Sequence, residues 1–137
     1  VFIKYTLTTF ILMLTHPLFA GTALPISVQS ANYNVNAAPE DFPITLNNIH
    51  SWLIIIDAPS GHPVEDLEFT VKGGMPEHQH GLPSQPKLID EINPGKYIID
   101  GVKFNMYGKW QIELIGINNS SDFYQKIEFD LDHDNAN

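Results

Sequence analysis

The sequence predicts an all-β fold, an immunoglobulin-like antiparallel β-sandwich of about seven to nine short strands. Three observations carry this expectation. Short segments rich in β-branched and aromatic residues alternate apolar and polar positions, as strands with one buried face do. Clusters of Pro, Gly, Asn and Ser interrupt them at intervals of roughly 8–12 residues. No long segment repeats apolar residues with helical spacing. An up-and-down barrel is the alternative architecture.

The elements follow in order. Residues 28–35 alternate loosely around Val28, Tyr33 and Val35 and read as a strand. Residues 42–46 are a short strand in which Pro43 suits an edge or a strand start. Residues 52–57 form a continuous apolar run, as expected of a strand buried on both faces. Pro59, Gly61 and Pro63 mark a turn. In residues 67–71, Leu67, Phe69 and Val71 face one way, and Glu68 and Thr70 the other. Gly73 and Gly74 are expected to end that strand.

Residues 87–92 are a further strand. Asn93-Pro94-Gly95-Lys96 has the composition of a type II turn. Residues 97–100 and 102–106 read as two strands joined by a turn at Asp100-Gly101. Residues 110–117 place Trp110, Ile112 and Leu114 on one side, residues 118–122 form a loop, and 124–131 is the last strand. Trp52 and Trp110 are expected in the core. Residues 133–137 read as a frayed acidic tail.

Residues 1–20 have an early cation, Lys4, then an apolar stretch, then Pro17 and small residues. This is the pattern of a secretory signal peptide, with cleavage expected after Ala20 or after Ala23. Thr8, Thr9, Thr15 and His16 interrupt the apolar stretch, leaving it short of the roughly 20 residues of a membrane span. No cysteine follows it to carry a lipid anchor. Residues 24–132 then form one domain. The expected location is the periplasm, or the exterior, of a bacterium.

The formal charge is -9, and all basic side chains other than histidine are lysines. So acidic a domain cannot present the basic face that nucleic acid needs, and anionic membranes are equally poor partners. Its field favours cations or a basic protein patch. The absence of cysteine removes thiolate catalysis, iron–sulfur clusters and cysteine-rich zinc sites. No Gly-x-Ser-x-Gly elbow, phosphate loop or His-Glu-x-x-His segment is present, so no enzyme class is indicated.

One segment concentrates potential ligands: Met75-Pro76-Glu77-His78-Gln79-His80-Gly81-Leu82-Pro83. Met106 adds a second thioether from Phe104-Asn105-Met106-Tyr107-Gly108-Lys109-Trp110. On an extended backbone His78 and His80 point the same way, about 7 Å apart. Imidazole with thioether suits copper, as Cu(I), better than calcium or magnesium. Zinc is an alternative, with Glu77 as a third ligand. The same residues also fit a hydrogen-bonded structural loop, with both methionines as core filler. His50 reads as a strand-end polar residue, and His62 as a solvated turn residue. Asp130, Asp132 and Asp134 alternate like the start of a calcium loop but lack its glycine and distal glutamate. Asn118 and Asn119 each begin a glycosylation sequon, which matters only in a eukaryotic secretory pathway.

The histidine segment, followed by Gly95-Lys96-Tyr97, Gly101-Val102-Lys103-Phe104, Met106 and Gly108-Lys109-Trp110, resembles the YtkA-like/FixH-like family of exported bacterial domains. Its members carry Met-Pro-x-His-x-His-Gly, a Gly-x-Tyr turn, and Phe-x-Met-x-Gly-x-Trp. The resemblance covers about residues 57–114. It implies an immunoglobulin-like sandwich outside the cytoplasm, with links to copper handling and oxidase assembly. It also implies Met75, His78, His80 and Met106 as the metal ligands. Gln79 stands where a glycine is common in the family, and no membrane-spanning helix follows the signal as in the FixH type.

Two functions are therefore expected. One is a soluble copper chaperone or scavenger that passes its ion to a copper-accepting protein by ligand exchange. The other is a metal-free interaction module of the cell envelope, with an acidic face that docks a basic partner.

Overall fold

Alternating side chains give each sheet one apolar face, and burying the two faces against each other builds the core. The computed structural model describes residues 24–134 and Ala136. The expected signal peptide lies outside the described residues.

Nine strands form two antiparallel sheets: β1 (Ile26–Gln29), β2 (Asn34–Pro39), β3 (Ile49–Asp57), β4 (Glu68–Met75), β5 (His80–Gly81), β6 (Lys87–Asn93), β7 (Lys96–Lys103), β8 (Gly108–Asn118) and β9 (Ser121–Leu131). One sheet has the order β1-β2-β3-β7-β6 and the other β5-β4-β8-β9. In this order β2, β3, β7 and β6 occupy the A, B, E and D places of an immunoglobulin-type sandwich, and β4, β8 and β9 the C, F and G places. Among the described residues, no helix is long and apolar enough to cross a membrane.

The inner faces follow the period of two. Trp52, Ile54 and Ile56 of β3 are fully buried, as are Ile112 and Leu114 of β8 and Ile127 of β9. Each such side chain contributes on the order of 1.5–3 kcal/mol of burial. An aromatic cluster fills one end of the sandwich. Phe104 packs edge-on against Trp110 at 5.1 Å between centroids and against Phe129 at 5.5 Å, and Trp52 lies 5.4 Å from Phe129. Both tryptophans are core residues, as expected.

Several elements differ from the sequence expectation. The strand expected over 28–35 is a hairpin, because the backbone N–H of Ser30 donates to the carbonyl of Tyr33 and turns the chain between β1 and β2. Residues 42–46 contribute only a parallel bridge, Ile44 to Ala136. Ala136 is 2% exposed, so at that residue the chain is packed rather than frayed. In β3, Leu53 and Ile55 are half-buried on the outer face, so the apolar run has one core face, not two. His50 is buried, and its Nε2–H donates to the Thr45 carbonyl at 2.8 Å. His62 is exposed.

Asp100-Gly101 is not a turn. β7 runs through it, and pairing with β3 slips by one residue between Ile99 and Val102, a bulge that accommodates the positive φ of Gly101. The turn at Pro94-Gly95 is present, with Gly95 at φ 70°. The loop expected over 118–122 tightens to a two-residue hairpin turn: Asn119 and Ser120 both have positive φ, as a type I′ turn requires.

Candidate metal site

Gly73 and Gly74 extend β4 instead of ending it. A Cβ on Gly73 would lie 2.4 Å from the Gln111 carbonyl oxygen, and one on Gly74 2.2 Å from that of His80. Glycine there lets β8 and β5 close on β4 from both sides. The strand therefore reaches Met75, which pairs directly with His80 of β5. Opposed residues of an antiparallel pair share a face, so this register sets the Met75 thioether and the His80 imidazole on the same side.

The chain between these two residues is a single 3₁₀ turn, Pro76–His78, with Pro76 at its first position. Gln79 ends the turn in the left-handed region, at φ 55°. The backbone N–H of Gln79 donates to the Pro76 carbonyl at 3.1 Å.

This turn brings the two imidazoles together, with 5.9 Å between ring centroids. They converge, but not by strand alternation: His78 belongs to the 3₁₀ turn and His80 to β5. His78 is exposed and His80 half-buried. The Nδ1 of His80 lies 2.9 Å from the Gly81 carbonyl oxygen. A carbonyl only accepts, so Nδ1 is the donor in this contact, and Nε2 is the ring nitrogen left for a ligand. Beneath His80 the indole of Trp110 meets the ring edge-to-face at 5.8 Å.

The two thioethers sit differently. Met75 is 1% exposed, and its methyl group lies under Gly108. Met106 is 38% exposed on the segment leading into β8. Its carbonyl accepts the Trp110 Nε1–H at 3.1 Å, which ties that segment to the indole under His80. Trp110 is the residue sequence reasoning missed: it reads as core, and nothing local shows that a histidine rests on it.

Glu77 lies beside Lys109. Its carboxylate lies 3.9 Å from the Lys109 ammonium, beside a cleft of about 320 Å³ that Trp110, Gln111 and Glu128 also line. The expectation of Glu77 as a third zinc ligand is not met by this arrangement. Among the described residues, no three His, Cys, Asp or Glu side chains cluster so as to hold a metal ion.

No curated protein matches the chain. Among solved structures it is similar to the one described as "ZirS C-terminal Domain", at 13% identity and a TM-score of 0.44, over 93% of this chain and 82% of that one. The YtkA-like family model matches residues 27–114, well over half of the chain and a span that includes Met75, His78, His80 and Met106, and the protein belongs to the YtkA-like family.

Proposed function

We propose that this protein is an exported carrier of copper, held as Cu(I) by His78 and His80 with thioether donation from Met75 and Met106. The observation that carries the reading is the pair of imidazoles 5.9 Å apart, with the His80 tautomer set by Gly81 so that Nε2 is free to ligate. Two imidazoles with thioethers form a soft-to-intermediate donor set, which suits Cu(I).

The residues divide the work. His80 is the anchored ligand, because the Gly81 carbonyl and the Trp110 ring hold its orientation. His78 and Met106 are the exposed donors, and their accessibility lets an incoming protein replace them one at a time. An acceptor with a basic surface is favoured by the charge of -9. The function is delivery or scavenging in the periplasm or outside the cell, without a catalytic step.

A second reading is a metal-free interaction module in which the histidine segment is a structural turn. One observation favours it: Met75 is packed in the core, its methyl against Gly108.

The test is a titration of the purified protein with Cu(I), beside a His78→Ala/His80→Ala double variant, read by affinity competition and by Trp110 fluorescence. The copper reading expects micromolar or tighter binding in the parent, with quenching of the indole that touches His80. It also expects loss of at least a hundredfold in affinity in the double variant. Weak and equal uptake by both proteins overturns the copper reading and favours the second.

A further inference from the structure

The sandwich has four sheet edges, formed by β1, β6, β5 and β9. An edge strand offers unpaired backbone groups to any other strand, and folds blunt this with short or bulged edges. Three of the edges are blunted. β5 has 2 residues and β1 has 4. β6 has 7 but is broken by two register shifts against β7.

β9 is different. It has 11 residues and pairs with β8 without irregularity from Gly108↔Leu131 to Asn118↔Ser121. Among the described residues, no strand pairs with its outer edge.

The side chains of β9 are arranged to match a second copy of themselves. Lys126 and Glu128 flank Ile127 on the outer face, 3.0 Å apart and both exposed. If two β9 strands pair antiparallel about a two-fold axis at Ile127, Lys126 stands opposite the partner's Glu128. Symmetry makes the reciprocal pair at the same time. Opposite charges directly across a ladder favour that register, whereas a slip of two residues sets Lys126 opposite Lys126 in one direction and Glu128 opposite Glu128 in the other. Asp122 and Asp132 would oppose each other at the two rims, where solvent screens them.

We infer that the protein forms a two-fold homodimer by edge-to-edge pairing of β9, which continues the β5-β4-β8-β9 sheet across both copies. Backbone hydrogen bonds supply the attraction, and the Lys126–Glu128 pairs set the register. The inference is independent of metal binding.

Sedimentation velocity and light scattering on the purified protein at physiological salt, over a wide concentration range, test it. The expected result is a concentration-dependent monomer–dimer equilibrium. Lys126→Glu alone and Glu128→Lys alone each place like charges together twice per dimer, and each should weaken the dimer by about tenfold or more. An equimolar mixture of these two variants should dimerise again, because every cross-strand pair becomes opposite in charge. That rescue cannot come from the bridge within one chain, which stays broken in both variants. Circular dichroism and thermal melts confirm that both variants are folded. A parent that is monomeric at every concentration overturns the inference, as does a dimer insensitive to these substitutions or a mixture that shows no rescue.

Discussion

The imidazole of His80 stands edge-on to the indole of Trp110, with ring planes at 70° and centroids 5.8 Å apart. The same indole donates its N–H to the carbonyl of Met106. One core side chain thus touches a candidate nitrogen ligand and tethers the segment that carries a candidate sulfur ligand.

Trp110→Phe keeps an aromatic edge under His80 but removes the hydrogen bond to Met106 and part of the core volume. Denaturant unfolding should show a loss of about 1–3 kcal/mol. Copper affinity should fall severalfold, while the His78→Ala/His80→Ala variant loses far more. An unchanged affinity in Trp110→Phe would show that the Met106 segment needs no tether to serve the site.

Gly108 lies between Met106 and Trp110 at φ 129°, and a Cβ there would come 2.7 Å from the methyl carbon of Met75. Gly108→Ala therefore meets both backbone strain and a collision with the Met75 side chain. The expected destabilisation is about 1–3 kcal/mol. A shift of the Met75 methyl resonance in a ¹³C-methyl NMR spectrum should accompany it. If that resonance stays in place, the contact between the two residues is not as tight as described.

Tyr97 predicts an alkaline limit to stability. Its hydroxyl donates to the Val64 carbonyl at 2.6 Å and accepts the Leu67 N–H at 3.2 Å, tying the segment before β4 to β7. Burial, partly offset by the Leu67 N–H and reinforced by Glu91, pushes the phenol from its ordinary 10.0 up to about 12. A raised value in the folded state means that the neutral phenol is the stabilised form. Its contribution is complete below about pH 10 and is lost as the pH climbs towards about 12. Unfolding free energies measured across that window should fall with pH in the parent. In Tyr97→Phe this component should be absent, with a pH-independent loss of about 1–3 kcal/mol from the two unpaired backbone groups. Equal pH slopes in the two proteins would remove Tyr97 as the cause.

Much of the sandwich was legible in the chain. The alternations around Phe69, Trp110 and Ile112 placed those residues inside, because strand geometry alternates faces whatever the partner strand is. Pro94-Gly95 announced its turn through its own backbone preferences. Gly101 gave a true signal of positive φ, yet whether such a residue makes a turn or a bulge depends on the strand beside it. The run Leu53-Ile54-Ile55-Ile56 was ambiguous for the same reason, since a second buried face requires a second covering layer.

The candidate ligands were legible by type and not by arrangement. The clustering of Met75, His78 and His80, with Met106 downstream, marks candidate soft donors, the family resemblance implies the same four residues, and the absence of cysteine excludes thiolates. The approach of the two imidazoles depends on the left-handed conformation of Gln79, a state costly for a side chain with a Cβ and held by the closure of β5 on β4.

By itself, the sequence determined an acidic, cysteine-free, all-strand domain with two imidazoles and a thioether in one short segment and a further thioether in a second. Tertiary structure alone decided that Met75 would be buried with its methyl against Gly108, that His80 would rest on Trp110, and that β9 would be the long regular edge. The physical reason is range. Side-chain periodicity and turn preference act over a few neighbouring residues, whereas strand order and cross-strand contact are set by pairings between residues far apart in the chain.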